Sequence, residues 1–352
     1  MKMISTSYSP KDVTILLKDI SGMISPSSTE EREKRIQSGT HYCEMLPIEY
    51  TPSEEYMKIY EYALKNFSKE TARAVCVMSE RIYMENHAPV LVSLARAGLP
   101  AGILAKRYLE KKYSITVPHY SVSIIRGRGI DRNATDYILS RHDPKCIRFV
   151  DGWTGKGAIQ TQLNDAMTDY HEIDPRVAVI ADPAMLTPFC GTHEDFLIAS
   201  SCLNSTVSGL ISRTVLRSDL IGENDFHGAV YYGELAPSDR SYEFIDEVEK
   251  HFIYDLDVKM DDTTLSYKNE DVDNISAEFE IPDRNLIKPG IGETTRVLLR
   301  RVPYKVLIAE GCEEKFISHI IELAREKNVP TEYYPLKSYR CCGIIKNMPS
   351  DA

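Results

Sequence analysis

The stretch from Ile147 to Ala158 carries an acid, Asp151, a threonine, Thr154, and three glycines, Gly152, Gly155 and Gly157, directly after an apolar run. The run reads as a buried strand, and Ile159 to Leu163 begins a helical pattern beyond the loop. A helix start with unpaired first-turn amides favours an anion, and glycine lets the backbone approach it closely. Asp151 at the strand tip is placed to hold a sugar hydroxyl or a metal beside that anion. Gly152, Thr154, Gly155, Lys156 and Gly157 would cradle a phosphate. The chemistry implied is binding of a phosphorylated ribose.

Two further loops extend this reading. Ser93, Arg96, Ala97 and Gly98 form a second anion loop entering a helix. Arg126-Gly127-Arg128-Gly129-Ile130-Asp131 reads as a mobile loop bringing Arg126 and Arg128 to a leaving group. A carboxylate for ribose, amides for phosphate and cations for pyrophosphate suit charge stabilisation at an oxocarbenium-like centre, with magnesium as the expected ion. A nucleotide P-loop does not fit, because Val150 stands where its first glycine belongs and Gly157 follows Lys156 where Ser or Thr is needed.

A different chemistry would use a nucleophilic cysteine with a histidine in reach. Cys190 with His193, and Cys202, are the obvious alternatives, and His41 with Cys43 is another pair. Activation needs a depressed thiol pKa, and the plainer reading of each cysteine is a small buried hydrophobe. The eight cysteines are scattered and none has CxxC spacing, so a reduced compartment and no structural zinc or other metal ligand set are expected. Near the C-terminus, Gly290, Gly292, Glu293 and Arg296 open a helix. A glycine-rich helix start with arginines suits RNA phosphate.

The elements that must position these groups alternate. Strand-like runs at 89–94, 117–125, 147–150 and 176–182 are interleaved with helical patterns at 101–111, 134–141 and after 158, with 196–199 as a further strand. This implies a parallel sheet covered by helices, with ligands at the carboxyl ends of the strands. Residues 10–90 read as mostly helical. At 352 residues two domains are expected: 1–254 with a helical N-terminal segment, an acidic connector over 255–285, and a small α/β unit over 286–352. In that unit 304–310 and 331–334 are strands, 316–327 is a helix, and 275–281 completes it. A net charge of −10 argues against non-specific nucleic-acid binding. No apolar run is long enough to span a bilayer, and the first residues lack a signal core, so a cytoplasmic location and no membrane partner are expected.

The order and spacing of the three loops resemble the type I phosphoribosyltransferase fold, with Gly152 in place of the second acid of its sugar loop. More narrowly, residues 10–250 resemble a phosphoribosyltransferase-like family of tellurite-resistance and stress-response neighbourhoods, also labelled the cysteine protease StiP family. The strings that carry the resemblance are Ile36 to Leu46, Ser93 to Pro100, Arg126 to Asp131, Val150 to Gly157 and Cys202 to Leu210. It implies transfer of ribose phosphate from 5-phosphoribosyl diphosphate to a base. Asp151 would hold the ribose, Thr154 to Gly157 the 5-phosphate, and Arg96 the pyrophosphate, while Arg126 and Arg128 close over it. The label implies instead a cysteine hydrolase using Cys190 or Cys202. A non-catalytic sugar-phosphate- and RNA-binding regulator is a further alternative. The C-terminal unit resembles the Pelota-type domain of the kink-turn-binding superfamily, with Gly292 where that motif has asparagine, and implies structured RNA as a partner. Self-association is left open.

Overall fold

The computed structural model describes residues 1–262 and 270–346. The middle of the expected connector, 263–269, and the last residues, 347–352, lie outside the described residues.

The central sheet is built from β1 (Thr14–Ile15), β2 (Val90–Ala95), β3 (His119–Ile125), β4 (Ile147–Trp153), β5 (Ala178–Ala181) and β6 (Cys190–Thr192). Their order is β1-β3-β2-β4-β5-β6, and every pairing along this path is parallel. Strands such as β2 are apolar on both faces because helices cover both. On one side lie α2 (Glu54–Glu85) and α3 (Gly98–Tyr113), and on the other α4 (Arg132–Leu139) and α5 (Ala158–Ala166). The fold class is therefore mixed α/β with a largely parallel central sheet, as the alternation predicted.

The helical expectation for 10–90 holds over α2 and is corrected before it. Residues 1–53 contain only α1 (Thr29–Gln37), a 3-10 turn (Tyr42–Glu44) and two-residue strands. Leu16, Leu17 and Ile20 are buried there in extended chain alongside the sheet rather than on a helix face. The segment 196–199 is not a strand; Ala199–Ser201 is a 3-10 turn, and the outer strand is β6.

The C-terminal module is a second sheet of β7 (Ile287–Pro289), β8 (Pro303–Ala309), β9 (Thr331–Tyr334) and β10 (Cys341–Ile345), in the order β7-β10-β8-β9. Residues alternate across β8. Leu307 faces α7 (Glu270–Glu278), while Val306 and Ile308 face α8 (Ile291–Arg300) and α9 (Glu314–Glu326). Helix α7 falls inside the stretch read as connector, and it buries Val272 and Ile275, three apart, together with Asp271.

The α8–α9 side merges with the core of the first body. Helix α2, 32 residues long and so about 48 Å, serves both. Its Phe67 stacks on Phe316 with ring centroids 5.8 Å apart, and the hydroxyls of Tyr56 and Tyr62 donate to the carbonyls of Leu299 and Lys315. Among the described residues no helix is long and apolar enough to cross a membrane.

Candidate active site

Strand β4 delivers Asp151, and α5 begins after Gly157, whose φ of 79° needs glycine. A cavity of about 300 Å3 opens at this junction. Arg126, Asp151, Trp153 and Lys156 line it from the first body, and Lys288 and Glu293 from the C-terminal module. Burial pushes the Asp151 carboxyl up to about 7, against the pull of the Gly152 amide and Arg296. Burial also pushes the Lys156 ammonium down to about 8, helped by Lys288 and Arg126. Three cations thus share one cavity wall.

Many of the residues assigned to a sugar diphosphate are committed to the protein itself. The Ser93 hydroxyl is fully buried, donates to the Gly98 carbonyl and contacts His119 Nε2 at 2.7 Å. Gly98 is required because a Cβ there would strike the Val150 carbonyl, so α3 can press onto β4. Ala97 caps α3 without a side-chain bond. Arg96 donates to the Ile211 carbonyl at 2.9 Å and faces Glu49. The Thr154 amide donates to Ala181 O, and its hydroxyl to Asp182 at 2.5 Å. Lys156 reaches out of the cradle to the carbonyls of Arg284 and Ile287. The Gly155 carbonyl accepts from Tyr339. The expected mobile loop is a tight hairpin: Gly129–Ile130 pairs antiparallel with β3, the Gly127 amide donates to Gln162, and the Arg126 amide to the Tyr42 hydroxyl. Arg128 faces Glu44.

That hairpin covers the tightest thiol–imidazole pair among the described residues. His41 Nδ1 lies 2.9 Å from Cys43 Sγ, at the start of the 3-10 turn Tyr42–Glu44. Burial pushes the Cys43 thiol up, and the Arg128 charge opposes it. The His41 ring lies against Tyr42 with centroids 4.5 Å apart, and the Arg213 guanidinium lies over the Tyr42 ring 4.7 Å from its centroid. Arg126 joins this pair to the cavity, lining the cavity while its amide holds Tyr42.

The other thiols are placed differently. Cys190 is buried under α2, and a Cβ on the next residue, Gly191, would strike the Ala74 backbone. His193 Nε2 is 3.6 Å from Cys190 Sγ but 2.8 Å from Asp261, while Nδ1 is 2.7 Å from the Asp182 carbonyl. Burial and the neighbouring Asp182 push this thiol up to about 12. Cys202 is fully buried, also pushed to about 12 by burial, and no histidine contacts its sulfur among the described residues.

The glycine-rich start of α8 faces inward. The Ile291 amide donates to Asp195 at 3.0 Å, Gly292 packs toward Ser201, and Arg296 pairs with Glu293 and lies over Trp153. Gly290 lies against the Asp195 carboxylate. Composition had no way to mark Asp195 or Asp261. The His41–Cys43 spacing was the one visible signal for the tighter pair.

A family model described as "Tellurite-like stress resistance cysteine protease StiP" matches residues 6–249, and one described as "PELOTA RNA binding domain" matches 266–347. A protein of Acinetobacter baylyi named cysteine protease StiP is 32% identical over 371 residues, covering 98% of this chain and 94% of that one. No solved structure matches. These matches overturn the transferase expectation. They favour the hydrolase alternative.

Proposed function

The chain belongs to the StiP family of stress-resistance cysteine proteases, and on that premise we propose that it is a cysteine peptidase with Cys43 as nucleophile and His41 as general base. The observation that carries this reading is the 2.9 Å contact between His41 Nδ1 and Cys43 Sγ. It is within the reach a nucleophile–base pair needs. Cys190 serves less well, because His193 already turns both ring nitrogens to oxygen atoms.

In the proposed reaction His41 Nδ1 takes the Cys43 proton, and the thiolate adds to the scissile carbonyl. The tetrahedral adduct collapses as His41 returns the proton to the leaving amine. Water, deprotonated by the same nitrogen, then hydrolyses the thioester and restores the thiol. Arg128 favours the thiolate electrostatically. The cavity beside Arg126 would seat the peptide, and the hairpin turn at Arg126 to Arg128 must shift to uncover the buried sulfur.

The test is cleavage of an unfolded protein substrate by wild type, Cys43→Ser, His41→Gln and Cys190→Ser. Losses of at least about 10³-fold in the first two variants, with Cys190→Ser active, are expected. Undiminished cleavage by Cys43→Ser would refute the assignment.

A further inference from the structure

Beside the outer strand, well away from Cys43, one thiol, one imidazole and one carboxylate converge. Cys190 Sγ lies 3.6 Å from His193 Nε2 and 3.6 Å from Asp261 Oδ2. His193 Nε2 and Asp261 Oδ2 are 2.8 Å apart. We propose that Cys190, His193 and Asp261 form a binding site for a divalent metal ion of the zinc class, stapling the segment before residue 262 to the sheet.

The argument begins with the imidazole. Its Nδ1 faces the Asp182 carbonyl at 2.7 Å, and a carbonyl only accepts, so Nδ1 carries a hydrogen. A backbone carbonyl on the far nitrogen is the usual device that aims a histidine's other nitrogen at a metal. Nε2 then presents its lone pair to the Asp261 oxygen. Two lone pairs do not face each other at 2.8 Å without a positive centre between them. That centre is either a proton or a metal ion.

The spacing favours the metal. Four ligands around zinc at about 2.0–2.3 Å stand about 3.3–3.8 Å apart. Both sulfur distances already lie in that range, and the His193–Asp261 pair need open by only about 0.5 Å. A cation already stands beside the cluster: Arg81 Nη1 is 3.4 Å from Cys190 Sγ and 3.2 Å from Asp261. The site is therefore already organised around positive charge. A metal would displace Arg81 Nη1 from the sulfur and carboxylate while its bonds to the carbonyls of Cys190 at 2.6 Å and Lys259 at 3.1 Å keep it beside the site, and water would supply the fourth ligand. The Asp182 carboxylate is close to the cluster, but its oxygens accept from Thr154, Leu186 and Thr187, so it supports the site from outside. On binding, the Cys190 thiol and any Nε2 hydrogen leave to solvent as protons, and the sulfur binds as thiolate.

The test uses the full chain with cobalt(II) and zinc(II) salts alone. One equivalent of cobalt should produce thiolate-to-metal charge-transfer absorption, which zinc then abolishes. The band should vanish in Cys190→Ser and persist in Cys43→Ser, so the result is independent of the peptidase reading. Asp261→Asn, on the segment that covers the sheet rather than in it, should weaken affinity by at least about ten-fold even if Cys190→Ser misfolds. Absence of the band in wild type would mean a proton fills the slot and would overturn the proposal. Its persistence in Cys190→Ser, or undiminished affinity in Asp261→Asn, would do the same.

Discussion

Asp195, buried in the first body, accepts the backbone amide of Ile291, the first residue of α8, at 3.0 Å. A helix start favours an anion, and here the protein supplies one from its other half. The same carboxylate accepts the Arg340 amide at 2.9 Å, so it binds two separate segments of the C-terminal module. Asp195→Ala should lower stability by about 1–3 kcal/mol through loss of the cap and an unsatisfied amide. Denaturant unfolding of the two proteins measures it, and a change below about 0.5 kcal/mol would show that the contact is incidental.

Asp151 should make stability depend on pH. Burial raises its folded value from 3.8 to about 7. Between those values the folded chain binds more protons than the unfolded one, so the favourable contribution present below about pH 4 is lost as pH rises through 7. Asp151→Asn should flatten that decline and, at pH 8, exceed wild type by on the order of 1–3 kcal/mol. Thermal unfolding across this range is the check, and parallel curves for both proteins would show the carboxyl to be better solvated.

Arg128 should tune the thiol that the hairpin covers. Its charge opposes the upward push of burial on Cys43. Arg128→Ala should therefore slow alkylation of Cys43 at pH 7.5 by roughly 3- to 10-fold and move the pH profile of labelling upward. Peptide mass mapping after a short iodoacetamide pulse resolves Cys43 from the other thiols. An unchanged profile would separate Arg128 from Cys43.

Phe316 should couple the two halves. It is 8% exposed and stacks on Phe67 of α2. Phe316→Ala should cost about 3–5 kcal/mol and split one unfolding transition into two. A single sharp transition at nearly the wild-type midpoint would count against coupling through this pair.

The parts of the molecule legible in advance are those whose packing is local. The apolar runs of β2 and β4 and the helices after them follow from hydrophobic pattern alone, because each strand is covered on both faces. Leu16 and Ile20 lie in a stretch read as helical, yet chain lying beside a sheet buries apolar residues without any helical requirement. Helix α7 was hidden by its acids, one of which, Asp271, is itself buried beside Val272 and Ile275 and accepts the amides of Lys337 and Ser338. For the site, Cys190 and His193 were visible as neighbours in sequence, but Asp261 and Arg81 arrive from segments remote in the chain. Likewise Asp195 meets Ile291 across 96 positions, a distance at which spacing carries no information. The His41–Cys43 pair was visible as spacing, but the 2.9 Å approach that sets it apart is made by the fold.

Helix α2 behaves as a beam shared by two storeys. Its aromatic residues Tyr56, Tyr62 and Phe67 carry contacts that the C-terminal module completes. A chain cut after residue 254 would bare this strip to water, and such a fragment should be sticky and poorly soluble rather than an autonomous enzyme. The two halves are therefore inseparable as expression products: any attempt to assign an activity to one of them must be made by substitution inside the intact chain.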